Sequence, residues 1–312
     1  MSAKDITVET VPHPQLGSWE VGLRRSLPTP HNNPGYDGGA GTSSGGSAPR
    51  VLLIGGTGQT IDTWRPVEKA LAAADYEVVA YASRGIVPSS APALPWSLED
   101  MVADAVSVLD HLGWHESVTV VGYSLGGFTA ELLARTHPGR VAHAVLVGGH
   151  NQAAEVSRAA RETRLAIGDN PQALEAFEKF TTFVTTLDTE ALTQRPALAK
   201  TWWEVLDFQS AAWSAPHARE GQGQAVGAWI TGTAERPELP EMAPRPSFTL
   251  LSFHGDLHMP AGAPAERAAE TLGGDDWVDL VSLPGGHGAL FANPKPVVAA
   301  IVDAVSSSTP RS

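Results

Sequence analysis

The 312-residue chain contains no cysteine. This absence excludes disulfides, thiolate metal ligands and a cysteine nucleophile, so any nucleophilic chemistry must come from another residue type. The chain also lacks an apolar run approaching the ~18 residues of a membrane-spanning helix. Its first ten residues have no apolar core of the kind found in signal peptides. We therefore expect a cytoplasmic protein that does not enter a membrane.

Basic residues are scarce, with 21 Lys and Arg against 34 Asp and Glu, and the formal net charge is −13. A negative charge of this size repels phosphate backbones and anionic lipid surfaces, so we expect neither nucleic acid nor membrane as a partner. Hydrophobic residues make up 42% of the chain and charged residues 18%. This balance is typical of a globular protein with a sizeable core. A small molecule is the expected partner, and the oligomeric state is left open.

Short apolar runs recur along the chain from residue 50 onward, and segments of helical length and spacing lie between them. The runs are Val51–Ile54, Val78–Tyr81, Val118–Val121, Ala144–Val147, Thr249–Phe253 and Val278–Leu283. Strands that are apolar on both faces and alternate with helices indicate a parallel sheet covered on both sides. We predict an α/β fold with a mostly parallel central sheet and helices on both faces.

The first fifty residues have a different pattern. Residues 6 to 27 alternate loosely between apolar and polar, which predicts an antiparallel pair of strands with a turn at Leu16–Ser18. Residues 31 to 49 are mostly Gly, Ser, Asn and Pro, with little to bury. That composition predicts a mobile loop.

The alternation of strands and helices stops after Val147. Residues 151 to about 228 contain no strand-like run, and Phe177, Phe180 and Val184 fall at helical spacing. We interpret 151–228 as a helical cap inserted into a core formed by 1–150 and 229–312. Most aromatic side chains of the cap are expected to form its own core, and the remainder to line an apolar pocket beneath it. The pocket candidates in the cap are Phe180, Trp202, Trp203 and Trp213.

One strand ends in Gly122-Tyr-Ser-Leu-Gly126, and a helical segment follows directly. A Gly-x-Ser-x-Gly sequence between a parallel strand and a helix is the pattern of a nucleophile elbow. The glycines leave room for a tight turn, which presents the serine hydroxyl above the sheet. Ser124 is therefore the predicted nucleophile. The Leu125 amide, at the start of the helix, is expected to donate to the oxyanion that forms.

A serine hydroxyl needs a base, and the chain has 11 histidines. His287 differs from the others in its position. It follows the last apolar strand in Leu283-Pro-Gly-Gly-His-Gly288, with glycines on both sides. Such a loop can carry the ring over the carboxyl edge of the sheet, where ligands bind in open α/β folds. His287 is the predicted general base.

With these motifs, the chain from Arg50 to Val305 resembles the α/β-hydrolase superfamily, with a cap inserted after the sixth strand. Ile54-Gly-Gly-Thr-Gly58 occupies the place of the family's oxyanion loop, with Gly55 where a histidine is usual. By this resemblance the Thr57 amide is the second oxyanion donor. Gly56 and Tyr123 are further candidates for lining the pocket.

The acid of the triad is ambiguous in this sequence. The family acid usually lies three residues after a glycine, which points to His258 when counted from Gly255 in Phe253-His-Gly-Asp-Leu-His-Met-Pro260. Counting back four residues from Pro260 points to Asp256. We choose Asp256, because a histidine could not stabilise the imidazolium that forms on the base. Some relatives place the acid after the sixth strand, where this chain offers only Glu155.

The alternation of His254, Asp256 and His258 also requires a check for a metal site, because residues two apart on a strand share a face. The glycine at 255 favours a loop, so we predict no metal, and the resemblance implies no cofactor.

The resemblance implies a serine hydrolase acting on an ester, thioester or related acyl bond of a small, partly apolar substrate. The alternative is a non-hydrolytic enzyme of the same fold, such as a lyase, acyltransferase, perhydrolase or cyclase of bacterial secondary metabolism. A ligand-binding protein with an inactive site is the third hypothesis. The irregular acid loop and Gly55 favour the alternative, whereas the paired Ser124 and His287 argue against a binder.

Overall fold

A single eight-stranded sheet forms the centre of the molecule. The computed structural model describes residues 5–28, 48–150, 155–230 and 234–307. Along the sheet the strands follow the order β1-β2-β4-β3-β5-β6-β7-β8. The strands are β1 Thr7–His13, β2 Gly17–Ser26, β3 Arg50–Ile54, β4 Glu77–Tyr81, β5 Val118–Tyr123, β6 Val141–Val147, β7 Ser247–Phe253 and β8 Val278–Leu283.

The predicted α/β class is confirmed by this sheet. Strands β3 to β8 run parallel to one another, and β1 and β2 are antiparallel additions at the edge next to β4. Every residue of β4, β5 and β7 is buried, as the continuous apolar runs require. Because the six parallel strands point the same way, the loops that carry chemistry meet at their carboxyl edge.

The N-terminal hairpin forms as an antiparallel pair, with His13 opposite Gly17, so that the turn lies two residues earlier than the predicted one. Gly17 has φ 72°, and no atom lies within 4 Å of the position that a Cβ would take. It is the first residue of β2 and lies just after the turn. The predicted loop at 31–49 falls almost entirely outside the described residues.

Helices cover both faces of the sheet. They are α1 Arg65–Ala73, α2 Leu98–His111, α3 Leu125–Thr136, α4 Glu155–Ile167, α5 Pro171–Thr186, α6 Thr189–Gln194, α7 Pro196–Phe208, α8 Ala218–Ile230, α9 Ala263–Leu272, α10 Ala289–Ala292 and α11 Pro294–Ser306. Buried side chains of α1 and α11 share one apolar cluster with the sheet, and those of α2, α3, α8 and α9 share the cluster on the other face.

The segment between β6 and β7 is helical, and residues of α5, α6 and α7 form a small apolar cluster around Leu187, Trp202 and Leu206. Helix α8 behaves differently, because its Ala218, Ala225 and Trp229 belong to the core cluster that also contains α2 and α3. The predicted cap boundary at residue 228 thus falls inside a helix that packs on the sheet layer. We propose that the cap ends before α8.

No helix among the described ranges is long and apolar enough to cross a membrane.

Candidate active site

Ser124 lies at the junction of β5 and α3, at the carboxyl edge of the sheet. Its backbone has φ 52° and ψ −115°, and Ser124 and Asp75 are the non-glycine residues with positive φ in the described part of the chain. A side chain at positive φ is strained, and the surrounding structure must hold it there. The Ser124 amide donates to the Val147 carbonyl at 2.9 Å, which fastens the strained residue to β6.

The turn requires glycine at both ends of the motif, because neighbouring backbone atoms leave no room for a Cβ there. A Cβ on Gly122 would lie 2.0 Å from the Gly126 carbonyl oxygen, and one on Gly126 would lie 2.1 Å from the Ile54 carbonyl oxygen. Behind the turn, Gly127 and Gly149 pack backbone against backbone, where a Cβ on Gly127 would lie 2.8 Å from the Gly149 Cα. The elbow is therefore a backbone-to-backbone contact among β5, α3, the end of β3 and the loop after β6.

Adding one methyl group at Gly122 is expected to disrupt the elbow. Gly122→Ala should destabilise the fold by about 3 kcal/mol, because the new Cβ meets backbone atoms that cannot move aside independently. The matched control is Gly139→Ala, since Gly139 has no atom within 4 Å of its Cβ position and its change should stay within about 0.5 kcal/mol. Urea unfolding of both variants measures the difference. Equal stabilities would contradict the close packing of the turn.

His287 lies in the loop between β8 and α10, above Ser124. Its Nε2 is 2.9 Å from the Ser124 Oγ, although the two residues are 163 positions apart. The loop is held from below by Tyr123, whose buried hydroxyl donates to the His287 carbonyl and whose ring contacts the imidazole edge-on at 6.0 Å. Tyr123, the residue before the serine, thus helps to hold His287 at its position above Ser124.

Asp256, in the loop after β7, completes a continuous chain of polar contacts. Its Oδ2 lies 2.7 Å from His287 Nδ1, and its Oδ1 accepts the backbone amides of His258 and Met259 at 2.7 and 2.9 Å. Counting along the sequence selected Asp256 and His258, and it is Asp256 that lies beside His287 Nδ1. His258 instead contributes its backbone amide to that carboxylate, and Glu155 is exposed at the start of α4.

The electrostatics of the pair favour a charged Asp256 beside a readily protonated imidazole. Burial alone would raise the pKa of Asp256, but the charge of His287 and the three hydrogen bonds prevail and lower it. Burial alone would likewise lower the pKa of His287, and the adjacent Asp256 carboxylate reverses this and raises it. Each group therefore stabilises the charged form of the other.

The loop carrying Thr57 runs beside the elbow. A Cβ on Gly56 would lie 3.1 Å from the Ser124 Cβ. Two side-chain carbonyls hold the loop on either side of Thr57: Gln59 accepts the Gly56 amide at 2.9 Å, and Gln222 of α8 accepts the Gly58 amide at 3.0 Å. The Leu125 amide is at the first position of α3, where helix amides lack an intrahelical acceptor.

The predicted pocket residues separate into two groups. Gly56 and Tyr123 are buried next to the elbow, and the Trp213 ring lies 3.2 Å from the Cβ position of Gly58. Trp202 is buried and packs on Phe291 with ring centroids 4.7 Å apart. By contrast, Phe180 is 57% exposed, and Trp203 is 40% exposed against Phe183 and Lys179. The last two residues therefore lie on the surface of the cap.

Three polar residues near the site had no signal in the sequence. Gln222 is fully buried and also donates to the Arg84 carbonyl, so it joins α8 to two loops. His150, 1% exposed in the loop after β6, has its pKa lowered to about 4 by burial. Ser157 of α4 lies 2.9 Å from His258 Nδ1, and the His258 ring in turn meets His287 edge-on at 5.1 Å. Each contact joins segments distant in sequence, which periodicity and motifs do not reveal.

The described residues contain no group of three or more His, Asp or Glu side chains arranged to hold a metal ion. Asp256 and His287 are instead engaged with each other, and His254 is exposed.

Comparison with known proteins places the fold. A family profile described as alpha/beta hydrolase fold matches residues 49–195. RutD of Caulobacter segnis, named a putative carbamate hydrolase, is 40% identical over 101 residues, which span 32% of this chain and 37% of that protein. Epoxide hydrolase B of Mycobacterium tuberculosis is 37% identical over 99 residues, covering 31% of this chain and 28% of its own length. The matched segments thus span less than half of these curated relatives.

A solved structure gives much fuller coverage at lower identity. A thermophilic esterase from Thermogutta terrifontis superposes with a TM-score of 0.70 at 20% identity, covering 97% of this chain and 99% of its own. At this identity the likeness concerns the fold alone. The sheet order, the elbow between β5 and α3, and the match of the family profile lead to one conclusion: the chain has the α/β-hydrolase fold.

Proposed function

We propose that the protein is a serine hydrolase that cleaves an ester, thioester or related acyl bond of a small, partly apolar substrate. The observation that carries this proposal is the continuous contact from Ser124 Oγ through His287 to Asp256, with distances of 2.9 and 2.7 Å. Both distances are those of hydrogen bonds, so the serine, the base and the acid are already aligned for nucleophilic catalysis.

The reaction divides into two steps. Ser124 Oγ attacks the acyl carbon while His287 Nε2 takes its proton, and the imidazolium then protonates the departing alcohol or thiol. Water, deprotonated by the same nitrogen, releases the acid and frees the serine. Asp256 holds Nδ1–H, so that Nε2 is the nitrogen that accepts the proton. The amides of Leu125 and Thr57 stabilise the oxyanion of both tetrahedral intermediates.

Hydrolysis is favoured over the non-hydrolytic alternative by the acid loop. The irregular count in this loop is, together with Gly55, the sequence feature that favours elimination or acyl transfer. In the structure the shortened loop still brings Asp256 against His287, and two backbone amides hold the carboxylate in place. The aromatic side chains Trp202 and Trp213, near the base loop and the Thr57 loop, favour a partly apolar substrate.

A small fluorophosphonate tests the proposal without knowledge of the substrate, because it reacts with a serine only when the base and oxyanion donors are in place. We expect intact-mass analysis to show one adduct and peptide mapping to place it on Ser124. Denatured protein is the control and should remain unlabelled. Folded protein that stays unmodified, or carries the adduct on another serine, would overturn the assignment.

A further inference from the structure

The turn between α5 and α6 of the cap, residues Thr186–Asp188, lies directly against the loop that carries His287. We refer to these three residues as the cap turn. The Gly288 amide donates to the Thr186 carbonyl at 2.7 Å, which ties the residue after the base to the cap. Thr186 and Leu187 are buried, so the contact is enclosed within the protein.

Glycines on the core side give the cap turn its close fit. A Cβ on Gly286 would lie 2.6 Å from the Thr186 carbonyl oxygen, and one on Gly288 would lie 2.0 Å from the Thr186 Cγ2. The acid loop has the same relation to the turn, because a Cβ on Gly255 would lie 2.6 Å from the Asp188 Cβ. One short cap segment therefore packs against both loops that flank the His287–Asp256 pair.

Further contacts fix the cap turn from behind. Leu187 is 1% exposed and belongs to the cap's apolar cluster, onto which Ala292 of α10 packs. The Asp188 side chain accepts the Ala191 amide at 2.7 Å and caps α6. Arg195 donates to the Ala292 carbonyl at 3.1 Å. The turn is thus tied to α6, α10 and the cap's apolar cluster on the side away from the base loop.

We propose that Thr186, Leu187 and Asp188 are positioning residues for His287, so that the cap holds the base against Asp256 and Ser124. The proposal rests on the proposed function and extends it, since it makes the cap part of the catalytic alignment as well as a cover for the substrate. The cap then cannot lift at this turn without displacing the base. Movement that admits substrate must take place elsewhere in the cap.

The experiment uses the contact between Gly288 and Thr186. Gly288 has φ −97°, outside the left-handed region, so the main effect of Gly288→Ala is contact of the new Cβ with the Thr186 methyl group, 2.0 Å away. A displacement of the base by ~1 Å is expected to slow fluorophosphonate labelling of Ser124 by about 10²-fold. Adding Thr186→Ala removes the methyl group, leaves the next atoms at 3.2 and 3.4 Å, and should restore most of the rate.

A second readout does not depend on activity. The raised pKa of His287 depends on Asp256, so pushing the base loop away should lower the imidazole titration midpoint measured by NMR, and the double variant should return it. The control is Gly139→Ala, which has open space and should change neither the labelling nor the midpoint. Unchanged labelling and midpoint in folded Gly288→Ala would overturn the proposal.

Two further outcomes remain decisive. If Gly288→Ala does not fold, Leu187→Ala loosens the turn by deleting a buried side chain without adding a clash. A lowered midpoint in that variant supports the proposal, and an unchanged one refutes it. If the wild-type protein is not labelled at Ser124, the proposed function fails, and the midpoints of the variants still decide whether the cap turn positions His287.

Discussion

Replacing Ser124 by alanine is expected to lower kcat for an acyl substrate by about 10⁶-fold, the effect of removing a triad serine in a comparable enzyme. The reason is that His287 Nε2, 2.9 Å from the hydroxyl, then has no nucleophile to deprotonate. Ser124→Ala should also remove all fluorophosphonate labelling. Steady-state kinetics and intact-mass analysis measure the two effects on the same preparation.

A matched serine change separates this result from a loss of folding. Ser107 lies in α2, where its hydroxyl donates to the Ala103 carbonyl at 2.8 Å. Ser107→Ala also removes a serine hydroxyl, but from a helix that makes no contact with Ser124, His287 or Asp256 through this side chain. Turnover should therefore persist. Turnover near the wild-type rate in Ser124→Ala would show that another group is the nucleophile.

Replacing Asp256 by asparagine is expected to lower kcat by about 10⁴-fold, as in a serine-protease triad. The asparagine amide can donate to Nδ1, which forces the proton to Nε2 and leaves no acceptor for the serine proton. The charge that raises the pKa of His287 is lost as well, and burial then lowers this pKa. We expect the residual activity to be measurable in kcat/KM across a pH series.

The pH dependence follows from the sign of this shift. His287 must be neutral to act as a base, so kcat/KM in the wild type rises as pH increases through the raised pKa, above the ordinary value of 6.5. In Asp256→Asn the midpoint should move below that value.

His258→Ala is the matched control, because burial and the charge of His287 lower the pKa of His258 to about 4 and its ring is neutral throughout this range. A large loss confined to the histidine variant would refute the assignment of Asp256.

Local sequence patterns were sufficient to predict the sheet and the elbow. The continuous apolar runs of β4, β5 and β7 could only be buried on both faces, and the Cβ position of Gly122 meets Gly126 and Gly127, which lie within five residues of it. These features depend on neighbours in the chain, and a single sequence therefore contains them.

The acid loop shows where counting fails. Two landmarks gave two residues, because the reach of a side chain depends on the path of the loop and on the donors that meet it. In the structure the carboxylate of Asp256 is directed by the amides of His258 and Met259, which follow it in the chain. The chemical need for a carboxylate selected Asp256, which lies beside His287, whereas the spacing from Gly255 selected His258, which does not take that place.

The cap was the least predictable part. Helical spacing showed that Phe180 and its neighbours lie on helices, but burial depends on which face meets the core, and Phe180 is largely exposed. Trp202 and Trp203 are adjacent, and only Trp202 is buried. The contact of Thr186 with Gly288 joins residues about a hundred positions apart through backbone atoms. Nothing in the residue types alone identifies such a contact.

The position of the cap in the sheet has a consequence for how such proteins diversify. Strands β6 and β7 are parallel neighbours, so the chain leaves β6 at the carboxyl edge of the sheet, and the connection that contains α4 to α8 returns it to the amino end of β7. All the cap helices therefore lie within one connection between adjacent strands. Caps of other lengths could therefore be exchanged between relatives without altering strand register. A transplanted cap would preserve the fold yet lack a partner for Gly286 and Gly288 unless it brought its own equivalent of Thr186–Asp188. Such chimeras would gain a different cap above the substrate but lose the contact that holds His287 in line with Ser124 and Asp256. To recover the turnover rate, the new cap would need a turn that fits against Gly286 and Gly288.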